Sequence, residues 1–214
     1  MSQAGDEHRA PARRRQVESR AERRARRAEI SDPDLVLGAA LRFLEVRARS
    51  VAETRRHLLA AGYDETLVAA AIERLLGLGI LDDASFARAW VASRDRAHPR
   101  GERALRNELA RKGVAAELVE AVLLERAGGG DAGQGAGPWS DGRVATRDPD
   151  PPLGADERAA AALLERRWAS LARITEPRLR RQRAYALLAR NGFDPDVAAR
   201  IAARFARTPD DDPS

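Results

Sequence analysis

The chain has 214 residues, a formal net charge of +5, 33% charged residues and only 4% aromatic ones, material for a thin core of Leu, Val, Ile and Ala. That composition suits small helical bundles rather than a sandwich or barrel. The absence of cysteine excludes disulfides and thiolate metal sites and fits a reducing cytoplasm. No apolar run approaches the ~18 residues of a membrane span, and the N-terminus lacks the apolar stretch of a secretory signal.

Residues 1–33 carry the arginine clusters Arg13-Arg14-Arg15 and Arg23-Arg24-x-Arg26-Arg27 with few large apolar residues. Such a segment cannot supply a core, so a disordered or transiently helical basic tail is expected. Residues 34–81 read as a first three-helix module. Its first helix places Val36, Leu37, Ala40, Leu41 and Leu44 on one face, and its second opens at Ser50-Val51-Ala52-Glu53, an S-x-x-E capping box. Residues 82–126 form a second module, which opens at Asp82-Asp83 and holds Phe86 and Trp90 four apart on its first helix. Residues 127–154 turn to Gly, Pro and Asp and read as a flexible linker, which makes the next module semi-independent. Residues 155–207 form the third module, and residues 208–214 an acidic disordered tail.

The three modules share one register. Gly62, Gly113 and Gly192 are each preceded by a leucine four positions back (Leu58, Leu109, Leu188) and followed at once by Tyr63, Val114 or Phe193. Apolar residues then recur five, six, nine and ten positions on: Leu67, Val68, Ala71 and Ile72 in the first copy, with matching sets in the others. That pattern is helix, glycine-terminated turn, helix. Three copies of one helical unit predict an all-α, elongated array of tandem three-helix repeats, suited to gripping something long.

Few residues suggest chemistry. Asp82 and Asp83 could be paired metal ligands, but nothing nearby completes a site, and an Asp before a helix is a preferred N-cap. Asp194 and Asp196 read the same way. His8, His57 and His98 have no metal or triad spacing, and His57 is expected on the solvated side of its helix. No P-loop or G-x-S-x-G is present, so neither catalytic residues nor cofactors are expected. Residues 156–206 hold eleven arginines against six acids, which makes the third module the electropositive one. Arg178, Arg180, Arg181, Arg183 and Arg190 crowd its middle helix over several faces, while Arg100, Arg103, Arg106, Arg111 and Lys112 (the sole lysine) form a weaker group in the second module. A phosphate-binding patch and a solvated, salt-bridged surface both remain open readings. The helices after the glycines carry Glu65, Glu73, Glu117 and Glu120, which disfavours insertion into a major groove.

Several of these residues form a recognisable series. Ala40-Leu41-Arg42-Phe43-Leu44, Arg47-x-Arg49-Ser50-x-x-Glu53, Leu58, Gly62, Leu81-Asp82-Asp83-x-x-Phe86-Ala87, Gly101 and Glu108-Leu109-x-x-Lys112-Gly113 together resemble the RecX family of bacterial regulatory proteins. Arg183-x-x-x-Leu187-Leu188-x-Arg190-x-Gly192-Phe193 resembles that family's third repeat. The resemblance implies three tandem three-helix repeats in a curved arrangement and a non-enzymatic role in DNA repair and the SOS response. A RecX-like protein lies in the groove of the RecA–single-stranded-DNA filament and modulates, usually inhibits, its ATPase, strand exchange and coprotease activities. On that reading Arg100, Arg103, Arg106, Lys112, Arg178, Arg180, Arg181, Arg183 and Arg190 would meet RecA or phosphates, while Ser50, Glu53, Gly62, Asp82, Asp83, Phe86, Trp90, Gly113 and Gly192 would shape the repeats. A cytoplasmic monomer with no membrane partner is expected. Two other classes stay open: a nonspecific binder of single- or double-stranded DNA using the tail and third module, and a helical scaffold for another protein.

Overall fold

The computed structural model describes residues 19–128 and 153–206, which form ten helices and no strand among the described residues. They are α1 (Arg20–Ala28), α2 (Pro33–Glu45), α3 (Val51–Ala61), α4 (Glu65–Gly77), α5 (Asp83–Ala97), α6 (Glu102–Arg111), α7 (Ala116–Gly128), α8 (Ala155–Leu171), α9 (Pro177–Arg190) and α10 (Pro195–Ala206). Most starts follow from local chemistry. Ser50 and Glu53 close their box on α3, Asp64 and Asp82 accept first-turn amides of α4 and α5, and Pro177 opens α9 where its missing N–H is not needed.

Helices α2–α4, α5–α7 and α8–α10 each enclose their own core. Leu58, Leu109 and Leu188 are fully buried, one in each, so the aligned leucines hold equivalent places. Truncating any of them to Ala would cost about 2–5 kcal/mol. Phe86 anchors the second core, with Trp90 packed at its edge. Phe193 fills the third. Gly62, Gly113 and Gly192 take φ of 104°, 80° and 80° at the end of each middle helix.

The repeats join through one recurring seam. The N-terminus of a middle helix receives the glycine turn of the following repeat and an aspartate from that repeat's first helix. Between the first and second repeats, Ser50 Oγ donates to the Lys112 carbonyl at 2.6 Å and the Val51 N–H to Asp83 Oδ1 at 2.9 Å. Between the second and third, the Gly101 N–H donates to the Asn191 carbonyl at 3.0 Å and the Glu102 N–H to Asp156 Oδ1 at 3.1 Å. The packing leaves no room for a side chain: a Cβ on Gly113 would lie 2.4 Å from Ala52 Cβ, and one on Gly192 2.5 Å from Ala104 Cβ. Asp82 is thus a helix cap as expected, with Ala84 N–H at 2.8 Å and Ser85 Oγ at 2.6 Å, but Asp83 is not: it caps the neighbouring repeat. Burial is the first influence on the Asp83 carboxyl and pushes it above its ordinary value despite the Val51 amide.

Two expectations change. The basic segment is helical over Arg20–Ala28, started by a second capping box in which Ser19 and Glu22 exchange bonds of 2.7 and 3.1 Å. Arg24 packs on Gly62 and Arg27 Nη1 reaches the Ala61 carbonyl at 3.4 Å, so α1 takes the place against the first glycine turn that a preceding repeat takes at the other two. The expected disorder of residues 1–18, most of the linker and the acidic tail lies outside the described residues. The third repeat, expected to be semi-independent, packs against the second in this structure. Beyond the shared seam, Arg126 is a buried guanidinium with 8% side-chain exposure that binds Asp95 Oδ1 and Asp156 Oδ1, each at 3.0 Å. Arg166 donates to the carbonyls of Arg96 and Ala97.

Candidate functional site

The nine cations singled out in the sequence fall into two sets. Four are engaged inside the chain. Arg180 is 8% exposed, with Nε donating to the Ile174 carbonyl at 3.0 Å and its guanidinium 6.0 Å from the Trp168 ring centroid. It therefore belongs to the inner face of α9 with Ala184 and Leu188, at the i, i+4, i+8 spacing of a buried stripe. Lys112 binds Glu53 Oε1 at 3.0 Å across the first seam and lies 4.1 Å above the Trp90 ring. Trp90 in turn donates to Glu108 at 2.9 Å and has Arg94 4.3 Å from its ring. Arg106 is held between Glu120 and Glu102, both at 2.6 Å, and the Glu120 carboxylate first among several causes raises its already high pKa. Arg100 donates to Asn191 Oδ1 at 2.6 Å across the second seam.

The other five, Arg103, Arg178, Arg181, Arg183 and Arg190, are exposed. Among the described residues none of them has an ion-pair or hydrogen-bond partner for its guanidinium. On α9, at 100° per residue, Arg178, Arg181, Gln182 and Tyr185 share one face, and Arg183 and Arg190 another. The first group lines a shallow groove of about 330 Å³ against Ala199 and Ala202 of α10. Small residues on α10 keep that groove open, and the half-exposed Tyr185 ring forms its apolar floor. Unpaired guanidiniums beside a flat ring can take carboxylates or phosphates bidentately.

His57 lies on the solvated side of α3 as expected, and its ring has a neighbour as well. It is exposed yet stacked flat on Phe43, with ring centroids 3.8 Å apart and 3° between planes. Desolvation, then the charges of Arg49 and Arg27, hold its pKa below the usual 6.5. Asp156 and Arg126 carry no signal in the sequence, since their pairing joins positions 30 apart. Among the described residues no group of His, Asp and Glu could hold a metal, and no helix is long and apolar enough to cross a membrane.

Comparison with known proteins accords with this architecture. Sequence models of the first, second and third three-helix domains of RecX match residues 37–75, 82–123 and 155–201. "Regulatory protein RecX" of Mycobacterium sp. (strain KMS) is 45% identical over 85 residues, 40% of this chain and 46% of that protein. The same-named protein of Prosthecochloris aestuarii is 39% identical over 95 residues, 44% and 63% of the two chains. The chain thus spans about half the length of the mycobacterial relatives it matches. Among solved structures, RecX from Lactobacillus salivarius superposes with a TM-score of 0.62 at 17% identity, covering 81% of this chain and 96% of that one. A second RecX crystal structure gives 0.57 at 18% identity, covering 85% and 72%. These two share the fold. With three domain models matched in order on three cores built alike, the chain belongs to the RecX family of regulatory proteins.

Proposed function

We propose that the chain is a non-enzymatic regulator of RecA that lies along the RecA–single-stranded-DNA filament and inhibits its turnover. The observation that carries this reading is the repetition itself: three similar bundles joined through similar seams offer similar surfaces at successive positions. Contacts made on neighbouring protomers of a polymer raise avidity through effective concentration without any one strong contact. The exposed arginines of α9, with Arg103 of α6, would meet acidic groups of RecA or exposed phosphates. A bound body that straddles protomer boundaries opposes the relative motions that ATP turnover requires.

Arg178→Glu with Arg181→Glu tests the surface. Neither side chain is used internally, so helicity should be unchanged while co-sedimentation with preformed RecA filaments falls about tenfold or more. Wild-type binding by this variant would remove the α9 groove from the interface. The unpaired arginines also favour a second reading, nonspecific nucleic-acid binding. It requires tight binding to naked DNA with a steep salt dependence and inhibition of RecA only when the DNA itself is covered.

A further inference from the structure

Where α1 lies along α3 it leaves a cleft of about 650 Å³. Arg20, Arg23, Arg24 and Arg27 line it from α1, and His57 with two alanines from α3; none of these lining residues is acidic. The arginines stand at i, i+3, i+4 and i+7, the spacing of a single helix face, and at 1.5 Å per residue they span about 10 Å. On the docked side Arg24 Cγ sits against Gly62, and Arg27 reaches the Ala61 carbonyl and lies 5.6 Å from the Tyr63 ring. Opposite this strip stands a flat ring. His57 has one face on Phe43, is exposed and lines the cleft. Arg49, 4.4 Å from the same Phe43 ring, adds further positive charge nearby.

We infer that this cleft binds a single-stranded phosphodiester chain, with Arg20 and Arg24 meeting neighbouring phosphates and the exposed ring of His57 stacking an unpaired base. The two features together select the ligand. An acidic peptide would satisfy the arginines but leave the ring without a partner, and a duplex keeps its bases stacked on each other. A single strand carries one charge per nucleotide, so arginines one helical turn apart can meet neighbouring phosphates, and aromatic rings beside cationic strips are the general means of holding unpaired bases. Burial of part of the ring, then the charges of Arg49 and Arg27, hold the His57 pKa below 6.5, which favours the neutral ring. This site is far in sequence from the α9 groove and requires no RecA, so either assignment can fail without the other.

The test is fluorescence anisotropy of the full chain with a short labelled oligothymidine across a salt series. Arg20→Gln with Arg24→Gln keeps the docking stems and removes two charges, so the slope of log K against log salt should flatten by about 1.4, or about 0.7 for each phosphate no longer neutralised. His57→Ala should weaken binding by about fivefold to a hundredfold at an unchanged slope, and His57→Phe should restore it. A duplex of the same length should bind more weakly and be indifferent to His57. Wild-type affinity in His57→Ala, equal loss in His57→Phe, an unaltered slope in the arginine variant, or duplex binding with the same His57 dependence would each overturn the assignment.

Discussion

Replacing Gly101 with alanine tests the second seam with little local confounding. Gly101 lies at φ −71° and ψ 159°, a conformation any residue adopts, and it makes no side-chain cap, so the backbone itself tolerates a methyl group. The obstacle is the neighbouring repeat: the new Cβ would stand 2.3 Å from the carbonyl carbon and oxygen of Gly192 and from Phe193 Cα. Backbone at that distance cannot turn aside as a side chain can, so the seam must open. Opening it weakens the Gly101 bond to Asn191, worth about 1 kcal/mol. It also weakens the charge-assisted bond from Glu102 to Asp156, worth roughly 1.5–3 kcal/mol, for an expected loss of about 2.5–4 kcal/mol in all. Gly79→Ala is the control: φ is 67° there and nothing lies within 4 Å of the added methyl, so it pays only the left-handed strain of about 1–2 kcal/mol. Denaturant unfolding gives both numbers. Hydrogen exchange gives the location, since the Glu102 amide should lose protection in Gly101→Ala while Leu109, deep in the second core, keeps most of its own. A Gly101→Ala protein within about 0.5 kcal/mol of wild type, with the Glu102 amide still protected, would mean that the third repeat does not dock through this backbone contact.

Arg126→Met leaves Asp95 and Asp156 without their shared guanidinium, and removal of one member of a buried ion group should lower unfolding free energy by about 3–5 kcal/mol. Arg88→Met, at the exposed Arg88–Glu125 pair, should leave stability unchanged in the same denaturation experiment. The first seam should weaken in acid. Burial alone would raise the Glu53 pKa, but the Lys112 hydrogen bond and the Ser50 amide outweigh it and hold the carboxyl below its ordinary 4.5. Its ionised form therefore stabilises the fold above that value, and the contribution is lost as the pH falls through the depressed folded value. Glu53→Gln should remove that part of the acid dependence, seen as a flatter stability profile below 4.5.

Features carried by local spacing were legible in the sequence. The glycine register and the leucine before it located the three middle helices, and the Ser50–Glu53 box located one start, because each is written within a dozen residues. Arg180 was legible too, standing four and eight positions before Ala184 and Leu188, but its charge outweighed its place in the buried stripe. Helix α1 announces itself by the Ser19–Glu22 box yet has no buried residue, so its composition reads as a disordered or transiently helical basic tail. The seam aspartates were not legible. Asp83 and Val51 are 32 positions apart, Asp156 and Glu102 54, and no periodicity links them. What the seams do to the surface follows the same logic: Lys112 and Arg100 look like binding cations in sequence and become ties between repeats once neighbours are in place.

Regulation of RecA is tested most directly by titrating the chain into an assay of DNA-dependent RecA ATPase at fixed filament concentration, beside a binding titration on the same DNA without RecA. Contacts that straddle protomers predict inhibition that is complete well below one chain per RecA protomer, at concentrations that leave most of the naked DNA uncovered. Inhibition that tracks saturation of the DNA, or an ATPase rate indifferent to the chain, would contradict it.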